Sequence, residues 1–260
     1  MSRRSTKPKG LLIDLDGVIY NDSQVIPGAL ETIRFLQDSN IPFRFLTNTT
    51  MKCRQSIQSK LMNLNIKVEK EQIFSAAYAA AEFIRRQKKQ RCFLLLTEDA
   101  QKDYQGLAAD TGDVDYVVVG DLGDQYTFQI LNKAFNYLLQ GARLIALQKN
   151  RFWLSDKGYT LDAGAFVALL EYAANCRSQV IGKPSAQFFE GALHNLNLSA
   201  QQVLMIGDDL ESDISGASNL GIRTCLVQTG KFLKEDFDRS LVKPDYILPT
   251  IAFLPQSGIL

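Results

Sequence analysis

Histidine and tryptophan are nearly missing from this sequence: each occurs once in 260 residues, as His194 and Trp153. A lone histidine excludes a histidine-built metal site and leaves no partner for histidine acid–base chemistry. On its helix, His194 falls away from the apolar stripe and reads as a surface residue. Cysteine is scarce as well. Cys53, Cys92, Cys176 and Cys225 stand far apart with no C-x-x-C pair, which argues against a zinc site or a redox dithiol. They read as thiols of a reducing, cytoplasmic compartment. An excess of either charge is also lacking: Lys+Arg 29 against Asp+Glu 28 gives +1 at pH 7. That removes the bulk electrostatic reason for nucleic acid or an anionic membrane as partner. No run approaches the ~18 apolar residues of a membrane span. The apolar stretch after Arg3, Arg4, Lys7 and Lys9 is cut by Asp14 and Asp16, so it is no signal-peptide core. Residues 1–10 read as a solvated tail. With 7 Pro and 17 Gly, collagen-like and low-complexity classes are excluded.

What remains is an ordinary globular composition, 46% hydrophobic and 22% charged. At about 150 residues per domain, the length allows one or two domains. The chain opens on Leu11-Leu12-Ile13, a short buried strand that ends in Asp-Leu-Asp-Gly. Pro27 opens a helix with Leu30, Ile33 and Leu36 at helical spacing. A second strand over 43–46 ends in Thr-Asn-Thr-Thr, and Ile57, Leu61 and Leu64 stripe the next helix. This is the rhythm of a parallel sheet with crossover helices.

A block of about 100 residues then starts afresh. Its helices are expected at 76–86, 128–139 and 166–174, and its strands at 92–96, 116–119, 144–147 and 179–181. The first rhythm resumes with a helix over 185–196 and a strand over 203–206 ending in Gly-Asp-Asp. A helix over 212–220 follows, closed by Gly221, then strands at 224–227 and 246–248. The strand at 224–227 leads into Thr229-Gly230. The pattern is an α/β domain interrupted by an inserted α/β domain.

Functional groups of an open parallel sheet gather beyond the carboxyl ends of its strands. Here those ends carry Asp14 and Asp16, Thr47, and Asp208 and Asp209 with Asp213 four residues on, while Lys183 precedes a helix start. Close carboxylates repel and need a cation or a proton to coexist. Carboxylate and carbonyl oxygens completed by water suit Mg2+. A carboxylate can attack phosphorus, and a second carboxyl can protonate a leaving oxygen. Lysine and threonine supply donors for a phosphoryl group. Each motif alone has a plainer reading: D-x-D-G as a calcium loop or turn, Thr47 as a helix cap, Gly-Lys-Pro as a turn, Gly-Asp-Asp as a helix N-terminus. Their joint order at successive strand ends is what points to one site.

In Asp14-Leu15-Asp16-Gly17-Val18, Leu46-Thr47-Asn48, Gly182-Lys183-Pro184 and Gly207-Asp208-Asp209 with Asp213, the chain resembles the haloacid dehalogenase (HAD) superfamily. The insertion between the Thr and Lys motifs resembles the NagD-like, type IIA branch. Residues 44–50, 169–173 and 182–185 look like the subgroup holding phospholysine phosphohistidine inorganic pyrophosphate phosphatase and HAD-like hydrolase domain-containing protein 2. The resemblance implies a Rossmann-like parallel-sheet core, residues 1–78 and 183–260, with an inserted α/β (C2-type) cap over 79–182. It implies a Mg2+-dependent phosphatase acting on a small phosphorylated molecule, a phosphoamide or pyrophosphate, through an aspartyl-phosphate. Asp14 would be nucleophile and Asp16 general acid/base, with Thr47, Asn48 and Lys183 binding the phosphoryl group. Asp14, the Asp16 main-chain carbonyl and Asp208 would hold Mg2+, and Asp209 and Asp213 would support them. A homodimer is implied too.

Within the cap, Lys149 and Arg151 are candidates to grip an anionic leaving group, with solvated loop charges as the plainer reading. Asp162-Ala163-Gly164 is a substrate loop or a helix cap, and Trp153 belongs to cap core or interface. Three other functions compete: a phosphoacceptor receiver domain, a phosphate-binding scaffold without turnover, and a phosphotransferase or mutase of the same family.

Overall fold

The computed structural model describes residues 7–109, 111–155 and 158–260; the first six residues of the basic tail lie outside them. The chain folds as two compact units. The first comprises Met1–Thr47, Gln58–Phe74 and Lys183–Leu260, and the second Asn48–Ile57 and Ser75–Gly182.

The first unit begins with β1 (Gly10–Asp14), buried along its whole length. It reads as an apolar run because both faces are covered. A small hairpin of β2 (Tyr20–Asn21) and β3 (Gln24–Val25) follows. Helix α1 (Ala29–Asp38) buries Ala29, Thr32, Ile33 and Leu36 on one face, a spacing of three and four. It starts after Gly28, whose left-handed backbone (φ 82°) forms the N-cap, so Pro27 lies outside the helix rather than in its first turn. Strand β4 (Phe43–Thr47), helix α2 (Arg54–Asn63) and β5 (Ile73–Ser75) come next.

The second unit starts helix α3 (Ala76–Arg85) from the Ser75 cap. Strand β6 (Cys92–Leu95), short helix α4 (Glu98–Gln101), β7 (Tyr116–Val119), helix α5 (Phe128–Leu139) and β8 (Arg143–Ala146) follow. An antiparallel hairpin joins β9 (Phe152–Ser155) and β10 (Gly158–Leu161), in a stretch to which the sequence patterns assign no element. Aromatic pairing across it, Phe152 against Tyr159 at 5.2 Å between ring centroids, is a signal that periodicity over so few residues does not carry. Helix α6 (Ala163–Ala174) and β11 (Gln179–Val180) complete the unit. Strands β11, β8, β7 and β6 form a parallel sheet in that order. Its core includes Phe93, Leu95, Val117, Val119, Leu138 and Val167.

Back in the first unit, helix α7 (Ala186–Leu196) is capped by Ser185 and β12 (Val203–Gly207) is fully buried. The expected helix over 212–220 is different in kind: a π-helical turn, Leu210–Ser215, leads into a single turn α8 (Gly216–Ser218). Strand β13 (Arg223–Val227), helix α9 (Lys234–Arg239) and β14 (Tyr246–Leu248) close the chain. The large sheet has the order β14-β13-β12-β1-β4-β5. Strand β1 pairs in parallel with both β12 and β4, and β12–β13 and β13–β14 are parallel too. The chain therefore leaves β1 toward one edge and later returns to build the other. That reversal opens a crevice at the carboxyl ends of β1 and its neighbours, where ligands bind in such sheets. Among the described residues, no helix is long and apolar enough to cross a membrane.

Candidate active site

Asp14 is the last residue of β1, Thr47 the last of β4, and Asp208 follows the last residue of β12. The ladders bring Ile13 opposite Ile206 and Asp14 opposite Leu46. Three groups distant in sequence thus end at the same edge of the sheet. All three are buried, as are Lys183 and Asp213. Carboxylate oxygens of Asp14, Asp208 and Asp213 lie within 4.8 Å of one another. Lys183 Nζ donates to Asp14 Oδ1 at 2.7 Å and to Asp213 Oδ1 at 2.7 Å.

The π-helical turn explains how Asp213 gets there. The N–H of Ile214 reaches back to the Asp209 carbonyl at 3.2 Å. A turn widened by one residue is a recurrent feature of functional sites. Asp209 caps this turn: its Oδ1 accepts from the N–H groups of Glu211 and Ser212, and its Oδ2 from Lys231 Nζ at 3.0 Å. Although burial opposes it, these donors hold the Asp209 carboxyl below the usual range. Asp209 is thereby engaged with the turn and with Lys231, while Asp213 joins the central cluster.

Electrostatics of the cluster are dominated by desolvation. Burial pushes Asp14 up to about 6, with Lys183 opposing and Asp208 reinforcing the shift. Burial likewise raises Asp208 to about 6, against the N–H of Lys231. Asp213 rises to about 7 through burial and the proximity of Asp14. Burial works against the Lys183 ammonium, yet Asp14 and Asp213 carry its pKa above the usual lysine range. One ammonium facing three carboxylates leaves two negative charges unbalanced when all are ionised. A protonated carboxyl or a cation must make up the difference. An all-oxygen donor set short of two positive charges fits a hard divalent cation.

Asp16 is exposed, on the tight loop after β1. The Gly17 N–H donates to the Tyr20 carbonyl at 2.8 Å and shapes that loop. Desolvation by its surroundings raises the Asp16 carboxyl, with Lys60 and then Lys183 opposing. Lys60 Nζ stands 3.9 Å from the centre of the buried Tyr20 ring. Sequence patterns gave no hint of this pair, because Lys60 reaches Tyr20 only through the packing of α2.

With this geometry the comparisons with known proteins agree. The description "Haloacid dehalogenase-like hydrolase" matches residues 11–108, and "HAD-hydrolase-like" matches residues 180–254. Haloacid dehalogenase-like hydrolase domain-containing protein 2 of Bos taurus is 37% identical over 231 residues, covering 89% of this chain and 88% of the relative. This chain belongs to the haloacid dehalogenase-like hydrolases. Human phospholysine phosphohistidine inorganic pyrophosphate phosphatase is 32% identical to this HAD hydrolase, covering 96% of this chain and 94% of the relative. Among solved structures, a p-nitrophenyl phosphatase from Archaeoglobus fulgidus superposes with a TM-score of 0.89 at 27% identity, covering 96% and 99% of the two chains. NagD from E. coli K-12 gives 0.88 at 26% identity, covering 95% and 98%. The protein is a NagD-like HAD hydrolase with a Rossmann-like core.

The remaining sequence candidates fall in the second unit or on the surface. Asn48 belongs to the second unit, with its Oδ1 beside Gly182. Lys149 pairs with Glu171 at 2.8 Å, and Arg151 lies 5.5 Å from the Phe152 ring centre. Asp162 is the N-cap of α6, accepting from the Ala163 N–H at 2.7 Å; the helix accordingly starts three residues before the expected 166. Trp153 is half-exposed on β9 rather than part of that unit's core, and His194 is exposed.

Proposed function

We propose that this HAD hydrolase releases phosphate from a small phosphorylated molecule through an aspartyl-phosphate on Asp14. Its class is phosphoric monoester hydrolase. The single observation that carries the mechanism is the Lys183 ammonium held between Asp14 and Asp213 at the switch point of the sheet. A nucleophilic carboxylate must be ionised, and in a desolvated site its proton is lost readily only when cations face it. Lys183 is one such cation. Asp14, Asp208 and the Asp16 carbonyl would hold a second, Mg2+, with Asp213 beside them. When bound, that ion supplies charge neutralisation for the carboxylates and for phosphoryl oxygen.

In the proposed reaction an Asp14 oxygen attacks phosphorus, and the bond to the leaving oxygen breaks. Asp16 gives that oxygen its proton; the elevated pKa and exposure of Asp16 suit a group that must hold a proton and meet a substrate. Asp16 then takes a proton from water, whose oxygen attacks phosphorus and frees Asp14. Thr47, Asn48 and Lys183 are assigned to the phosphoryl oxygens. The second unit, with its own parallel sheet and core, is assigned the role of cap, with residues 79–182 as its extent. The protein is assigned to the cytoplasm, in keeping with four unpaired cysteines, and to a homodimer.

The test is phosphate release by purified protein with Mg2+ from p-nitrophenyl phosphate, sugar phosphates, nucleotides, phosphohistidine, phospholysine and pyrophosphate. Turnover abolished by Asp14→Asn is expected. Absence of turnover on every compound, or an Asp14→Asn variant equal to wild type, overturns the reading. Phosphoryl transfer to an added acceptor in place of release would reassign it as a phosphotransferase.

A further inference from the structure

Thr229, Gly230 and Lys231, just past β13, take no part in the mechanism above. Yet this loop touches two of its elements at once. Thr229 Oγ1 donates to the Gly17 carbonyl at 2.5 Å. The Lys231 N–H donates to Asp208 Oδ2 at 2.6 Å. Between them, Gly230 and Gly17 meet backbone to backbone. A Cβ on Gly230 would sit 2.5 Å from the Gly17 Cα and 2.1 Å from Asp208 Oδ2. A Cβ on Gly17 would sit 3.0 Å from the Gly230 Cα and 2.1 Å from Asp208 Oδ2. Both glycines have positive φ, 84° and 59°, a region that disfavours side chains.

Both glycines thus lie against one Asp208 carboxylate oxygen, which accepts from the Lys231 N–H. On its other side the loop holds the carbonyl of Gly17, the residue after Asp16. The Asp14–Gly17 loop and Asp208 come from different strands, and nothing in the β-ladder fixes a loop carbonyl relative to a side-chain carboxylate. The 229–231 segment does so through one hydroxyl, one N–H and one backbone contact.

We infer that Thr229-Gly230-Lys231 is a positioning clamp that holds the Asp208 carboxylate against the Asp14–Gly17 loop and so sets the affinity of the site for its divalent cation. This rests on the reading of Asp14 and Asp208 as cation ligands. Groups that orient ligands from outside typically contribute ~10- to 100-fold in metal affinity. A cation between two strand ends gains most from such a brace, because its oxygens must otherwise be brought together at the moment of binding.

The experiment measures the Mg2+ dissociation constant by calorimetry for wild type, Thr229→Val, Thr229→Ser and Gly230→Ala. The unfolding temperature of each metal-free protein and kcat and KM for p-nitrophenyl phosphate are followed alongside. Thr229→Val should weaken Mg2+ binding ~10-fold, and Gly230→Ala more, since its Cβ displaces Asp208 itself. Thr229→Ser, which keeps the hydroxyl, should bind within about threefold of wild type. At saturating Mg2+ the KM of Thr229→Val should match wild type, which a general loss of structure would not give. Wild-type Mg2+ affinity in both Thr229→Val and Gly230→Ala overturns the clamp and leaves the phosphatase reading standing. A wild-type protein that hydrolyses no phosphoester and takes up no Mg2+ overturns that reading and the clamp with it. Should Gly230→Ala not fold, the Val and Ser pair at Thr229 decides.

Discussion

The two parallel sheets of this protein are built alike and end differently. In the second unit the order β11-β8-β7-β6 runs through the sheet without reversal. The polar groups at its carboxyl edge serve local structure. Thr97 caps α4 and donates to the Met51 carbonyl. Asp121 accepts from the Gly123 N–H. Gln148 donates to Asp162, the cap of α6. In the first unit the order reverses at β1, and the same edge gathers three buried carboxylates and an ammonium. A parallel sheet with helices is therefore not enough to make a site. A crevice where the chain changes direction, and a surplus of buried negative charge that needs a cation or protons to balance it, are what set the first unit apart.

The sharpest way to break this comparison is at Asp14, the proposed nucleophile. Asp14→Asn should lower kcat for p-nitrophenyl phosphate by more than about 10⁴-fold, whereas Thr97→Ala, at the matching edge of the other sheet, should lower stability by ~1 kcal/mol through loss of a cap and leave kcat within about twofold. Steady-state rates and urea unfolding of the two variants check it. Asp16→Asn should cost ~10²- to 10⁴-fold in kcat. That loss should be smaller for p-nitrophenol, a good leaving group, than for an alkyl phosphate.

Lys183→Met should destabilise the metal-free protein by ~3–5 kcal/mol, because the buried carboxylates of Asp14 and Asp213 lose the ammonium bonded to them; urea unfolding in EDTA measures this. The pH dependence has a defined sign. Asp14, Asp208 and Asp213 are raised from 3.8 to about 6, 6 and 7. The fold therefore binds more protons than the unfolded chain across that window. Their contribution to stability is complete below pH 3.8 and is lost as pH rises through 6 and 7. Metal-free protein should accordingly lose stability from pH 5 to 8. A fixed Mg2+ concentration, about 100 times the dissociation constant at pH 8, should restore about 2.7 kcal/mol there and less at pH 5.5, where Mg2+ must displace those protons. Thermal unfolding with Mg2+ or EDTA at the two pH values tests both statements. Smallest is Lys149→Ala in the second unit. It breaks a partly exposed pair with Glu171 and should change stability by less than ~1 kcal/mol in thermal unfolding.

Most elements were legible because their apolar residues keep a helical or strand period. Residues 116–119 and 128–139 fall where their patterns put them. Misreadings occur where local hydrogen bonds outrank periodicity. Gly28 moves the start of α1 past Pro27, and Asp162 pulls the start of α6 forward. The π-helical turn at Leu210–Ser215, capped by the Asp209 side chain, replaces the start of a helix.

By itself, then, the sequence determined which chemistry the chain carries. Acids, a threonine and a lysine follow apolar runs that can only be buried strands, and their order resembles one family. Strand neighbours, and therefore which acids lie close together, were decided by the tertiary structure alone. Hydrogen-bond pairing between strands far apart in the chain sets those distances, and no local propensity encodes it. The same holds for the protonation of the cluster, since desolvation exists only once the sheet and its helices have closed around Asp14, Lys183 and Asp213.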